Sequence, residues 1–144
     1  MSNTSINTAA ESFFGDEIYR YTRAQAIQDG VLVDAGPMAK EVGFRFPVAL
    51  TSTVWEDCVA WTEEDSLKKP FQDQLGRLWD VLYMASHAIR TGSGSGSGDR
   101  LLYQLYRVPR DGKSVEAELV KLKILVGPGD HGEPVMTILL PNED

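Results

Sequence analysis

Two histidines, one cysteine and three groups of charged side chains are the places where this chain of 144 residues could do chemistry. The stretch GPGDHGEP sets Asp130, His131 and Glu133 within four residues. Two carboxylates and an imidazole could ligate a metal or move protons. Their spacing matches no helical metal motif and supplies no fourth ligand, and Gly127, Gly129 and Gly132 read as well as a solvated hairpin turn. His87 lies one helical turn beyond Tyr83; with His131 it could form the base and acid of a metal-independent ribonuclease. Cys58, between Val54 and Trp61, would need a neighbouring base and some exposure to act as a nucleophile, and otherwise reads as a small buried hydrophobe. TGSGSGSG carries glycines but no preceding strand and no Lys-Ser/Thr pair, so it is not a phosphate loop. CxxC and HExxH patterns are absent. The sequence therefore calls for no metal and no cofactor, and names only His87 and His131 as catalytic candidates.

Charge supplies two more candidate surfaces. The net charge of −7 falls wholly within residues 1–65, which hold four basic and eleven acidic side chains; residues 66–144 hold ten of each. Glu56, Asp57, Glu63, Glu64 and Asp65 lie beside Trp55 and Trp61. They read either as a solvated helix start favoured by the helix dipole or as an acidic face for a protein partner. Residues 100–123 carry six basic and three acidic groups. On the strands there, Gln104, Tyr106, Lys121 and Lys123 would share one face, which could hold RNA by charge and stacking or simply keep the sheet in water. Nucleic-acid binding usually brings a larger basic excess, so a protein partner is the expectation.

These side chains must be positioned by local elements. Thr22 can cap a short helix that Gly30 ends, a β-type run follows at Val31 to Val33, and GPMAKEVG reads as a helix from Pro37 to Gly43. RFPVALT gives a brief extended piece. Thr53 and Glu56 have capping-box spacing and predict a helix to about Trp61. Phe71, Leu75, Leu78, Leu82, Ala85 and Ile89 form one helical stripe between Pro70 and Gly92. Trp79, Val81, Tyr83 and Met84 lie off it, which predicts a helix covered on more than one side. The period then changes to two. An Asp111-Gly112 turn would set Leu101 opposite Leu122, Tyr103 opposite Val120 and Arg107 opposite Glu116, and VMTILLP reads as a third strand. The expected fold is α+β: short helices and one long central helix packed on an antiparallel sheet with a C-terminal three-stranded meander. Residues 1–15 read as a flexible arm, and 16–144 as one domain with a flexible Gly-Ser loop at 91–99. That composition fits a natural loop or an inserted linker alike.

The segments YTRAQAIQDGVLVDA, GFRFPVALTSTVWEDCVAW, GRLWDVLYMASHAI and VGPGDHGEPVMTILLPNED resemble a family of small bacterial proteins carried on plasmids, conjugative elements and phages. The resemblance runs from about Tyr19 to Asp144 and brings no catalytic residues with it. It implies a mobile-element setting, where accessory proteins that meddle with host defence or transfer are common, and the expectation is a non-enzymatic accessory protein of that kind, antagonising a host defence or regulatory protein through its acidic half. The N-terminal segment has no Lys or Arg before Arg20 and no apolar core, so it does not read as a signal peptide. No apolar run reaches the roughly 18 residues of a membrane span, and one cysteine permits no internal disulfide. These features point to the cytoplasm.

Overall fold

The computed structural model describes residues 21–68, 72–96, 98–111 and 114–143. The expected arm at 1–15, and Pro70 and Phe71 at the expected start of the long helix, lie outside them. The chain forms α1 (Arg23–Gln28), β1 (Leu32–Asp34), α2 (Pro37–Val42), β2 (Val48–Thr51), a single turn α3 (Ser52–Val54), a π-helical turn (Trp55–Val59), α4 (Glu63–Lys68), α5 (Gln74–Thr91), β3 (Arg100–Arg107), β4 (Glu118–Pro128) and β5 (Pro134–Leu139).

The class is α+β, with β3, β4 and β5 as the meander. The sheet is not antiparallel throughout. Its order is β1-β2-β5-β4-β3, and β2 runs parallel to β5. The last strand inserts between β4 and β2, so the meander continues into the N-terminal hairpin instead of standing beside it. One row crosses all five strands: Leu101 opposite Ile124, Ile124 opposite Ile138, Ile138 opposite Leu50, and Leu50 opposite Val33. Leu50, Leu122 and Ile138 are wholly buried beneath α5, which sets Leu78, Val81, Leu82 and Ala85 on them. The Tyr103 hydroxyl donates to the Val81 carbonyl at 3.1 Å, tying helix to sheet.

The β3–β4 register is displaced by two residues from the expected one. Leu101 faces Ile124, Tyr103 faces Leu122 and Arg107 faces Glu118. The strands stop at Arg107 and resume at Glu118, so the connection is much longer than a two-residue turn. A slip of two keeps every side chain on its face, which is why the apolar face was assigned correctly from the wrong turn.

Local signals account for most helix ends. Thr22 and Gln25 form a reciprocal capping box, and Gly30 follows at φ 80°. Asp73 caps α5 through the Gly76 amide at 2.6 Å, and Gly92 ends it in the left-handed conformation. The Thr53–Glu56 box does not form. Thr51, the last residue of β2, accepts from the Val54 amide at 3.2 Å. The helix thus starts two residues early and widens into a π turn closed by the Ala60 amide on the Trp55 carbonyl at 2.8 Å. The α5 stripe is also rotated. Val81 and Ala88 join the buried side, while Leu75 is 65% exposed and Ile89 45%. The sheet lies on one flank of α5 and the N-terminal helical turns on another, but Trp79 and Tyr83 face outward.

Candidate binding surfaces

The acidic segment is largely engaged with arginines from β3 and the loop after it. Arg107 donates to both carboxylate oxygens of Asp57, at 3.1 and 3.2 Å. Arg110 meets Asp65 at 2.8 Å and Glu56 at 3.4 Å. Asp65 also accepts from the Thr62 amide and hydroxyl, at 2.9 and 3.0 Å. Burial alone would raise the Asp65 pKa, but the two Thr62 hydrogen bonds and Arg110 outweigh it and hold the carboxyl below the ordinary aspartate range. Beneath this layer sits Arg77, 4% exposed, with its guanidinium 4.6 Å from the Trp61 ring centre. It donates to the carbonyls of Val59 and Val108. Asp57 and Asp65 are therefore bound into the fold, whereas Glu56 stays largely exposed beside Arg110. Trp55 packs half-buried against the core. Glu63 remains free to face solvent, and Glu64 has only an exposed 3.9 Å contact with Lys68, worth little in water.

The basic sheet face divides. Gln104 and Lys121 pair across β3 and β4, and Tyr106 is 67% exposed nearby on the same strand face. Lys123 is buried instead. Its ammonium donates to the carbonyls of Pro141 and Glu143, and so pins the C-terminal tail to the sheet. Gln104 and Lys121 meet His87 at a groove of about 360 Å³, walled by Ser93, Gly94 and Ser95. The Gly-Ser run is thus tied down at one point. Ser95 and Leu102 exchange both backbone hydrogen bonds along the exposed edge of β3.

His131 is not part of that groove. Lys121 and the end of β4 at Pro128 are separated by roughly seven extended residues, about 23 Å, and His131 lies in the turn beyond. That is too far for one substrate's acid and base. Its neighbours hold the fold. Asp130 accepts from the Arg23 and Ala24 amides at the start of α1, at 2.8 and 3.0 Å, and Glu133 accepts from the His131 amide at 2.9 Å. Among the described residues no group of three His, Cys, Asp or Glu is placed to hold a metal. Cys58 is 1% exposed, and burial followed by the Asp57 charge pushes its thiol up to about 12.

Sequence reasoning missed one surface. On the outer side of α5, Trp79 stacks on Tyr83 with ring centres 6.5 Å apart, and Tyr83 on His87 at 6.1 Å. Leu75 extends this column by one turn, and exposed Asp73 and Asp80 flank Trp79 in a shallow depression. The signal was present: 75, 79, 83 and 87 step by four, a second stripe that the first one masked.

No helix among the described residues is long and apolar enough to cross a membrane. A model described as "Family of unknown function (DUF6573)" matches residues 10–144. No curated protein and no solved structure matches the chain.

Proposed function

The chain belongs to that family of unknown function, and we propose that it acts as a non-catalytic module that binds a basic protein partner through the outer side of α5. The observation that carries this reading is the outward-facing column of Leu75, Trp79 and Tyr83, with half-buried His87 at its end. Exposed aromatic residues in a row supply the desolvated contact on which protein interfaces concentrate their affinity. Asp73 and Asp80 beside the column, exposed Glu63 and Glu64, and the net charge of −7 favour a partner whose facing surface is basic. Four other side chains that chemistry could use are engaged in the fold. Asp57 and Asp65 hold arginines, Asp130 caps α1, and Cys58 is a buried thiol.

The resemblance to proteins carried by plasmids and phages supports a setting: an accessory protein of a bacterial mobile element, acting in the cytoplasm on a host defence or regulatory protein. The test begins with capture of a partner on the immobilised chain and purification of that partner. Calorimetry then compares the wild type with Trp79→Ala/Tyr83→Ala and with Asp73→Asn/Asp80→Asn, the asparagine at 73 preserving the cap. The double aromatic variant should bind at least tenfold more weakly, and the double asparagine variant should lose much of the salt dependence. Unchanged affinity in a folded aromatic variant would refute the reading.

A further inference from the structure

We infer that the groove between the C-terminal end of α5 and the edge of β3 is a binding site for a small organic anion, with Lys121 as its charge partner and the Gly-Ser run as its wall. The lining is the first reason. His87, Gln104, Lys121 and Ser95 all carry side-chain hydrogen-bond donors, and in a chain with 21 acidic residues no carboxylate lines the groove. Lys121 meets no carboxylate within ion-pair distance among the described residues, whereas Lys123 two positions on is fully engaged. Met84, Ala88, Leu102 and Tyr103 supply the rest of the lining, so the ligand carries an apolar or aromatic body behind its charged group. The volume of about 360 Å³ lies in the range of small-molecule sites.

The second reason is how the wall is built. A β-carbon added at Gly94 would stand 2.5 Å from the Leu102 carbonyl oxygen and 2.8 Å from the Leu101 side chain. Only glycine lets the run approach β3 that closely. The paired hydrogen bonds of Ser95 with Leu102 then fix its neighbours. A spacer needs no such fit; a wall does.

The test is amide-resolved NMR titration of the full chain with AMP, phenyl phosphate and benzoate. Inorganic phosphate and a single-stranded octanucleotide lacking terminal phosphates run in parallel. At least one of the three organic anions should shift the amides of Ser93 to Ser95, Leu102 and Gln104, with a dissociation constant below about 1 mM, tighter than inorganic phosphate. Lys121→Gln should weaken that binding tenfold or more, Gly94→Ala should weaken it while the spectrum stays dispersed, and Lys68→Gln should leave it unchanged. The inference is overturned if none of the three anions gives localised shifts at about 10 mM, or if Lys121→Gln binds as well as the wild type. It is overturned too if the octanucleotide binds more tightly than every small anion with shifts running on to Tyr106, which would assign this face to nucleic acid.

Discussion

Replacing Arg77 by methionine tests how the two halves of the chain are joined. Methionine keeps much of the stem's bulk and removes every donor. The guanidinium now serves Val59 O at 3.0 Å, Val108 O at 2.9 Å and Gln72 Oε1 at 2.8 Å, and lies over the Trp61 ring. Two buried carbonyl oxygens would lose their partner, at about 1–3 kcal/mol each, and the ring contact about 1 kcal/mol more. No longer burying a charge returns part of that. The net loss should be about 3 kcal/mol. For a chain of this size that corresponds to a fall in Tm of about 10 °C. Urea unfolding followed by circular dichroism gives the free energy, and hydrogen exchange should show the Val108 amide region opening first. Arg77→Lys, which can reach one carbonyl but cannot span both, should fall between. A loss under about 1 kcal/mol for the methionine variant would mean that water satisfies both carbonyls and that Arg77 is not what joins the π turn to the loop after β3.

Two further outcomes follow from the same region. Because the folded pKa of Asp65 is depressed, its contribution is complete above the unfolded value and disappears as pH falls through the folded one. The stability gap between wild type and Asp65→Asn, measured by urea titration, should therefore be flat near neutrality and close below about pH 4; a gap that persists unchanged to pH 2.5 would contradict the assignment. Cys58, with its thiol raised to about 12, should resist a disulfide reagent at pH 8 in the native protein and react only as the protein unfolds. Modification within seconds under native conditions would show the π turn to be open.

What could be read from sequence was what short range decides. Thr22, Gly30, Pro37, Gly43 and Gly92 act on amides and carbonyls within a few residues, and each stands where its chemistry places it. The Thr53 box failed because the real cap, Thr51, owes its position to the end of a strand whose partner is Ile138's strand. The Asp57–Arg107 and Asp65–Arg110 pairs span about 45–50 residues of sequence, and no periodicity connects them. The acids therefore read as a free surface. Lys123 looked like its neighbour Lys121 because strand alternation assigns faces, but it cannot foresee a tail folding across one of them. The outer column of α5 was legible in principle. Its four residues stand at steps of four, but Leu75 also belongs to the stripe that runs from Phe71 to Ile89, of which Leu75 and Ile89 face water.

The parallel pairing of β2 with β5 has a kinetic consequence. Val48 waits for Met136, roughly 88 positions later, and loop-closure entropy must be met before that contact gives anything back. Until then β2, with all four of its residues destined for burial, has β1 on one side and an unpaired apolar edge on the other. The meander can zip up from local contacts, whereas the N-terminal hairpin can join only when the final strand docks. Refolding should then show a fast phase reporting on β3 and β4 and a slower one reporting on β2, and chains cut before Pro134 should aggregate through the strand left bare.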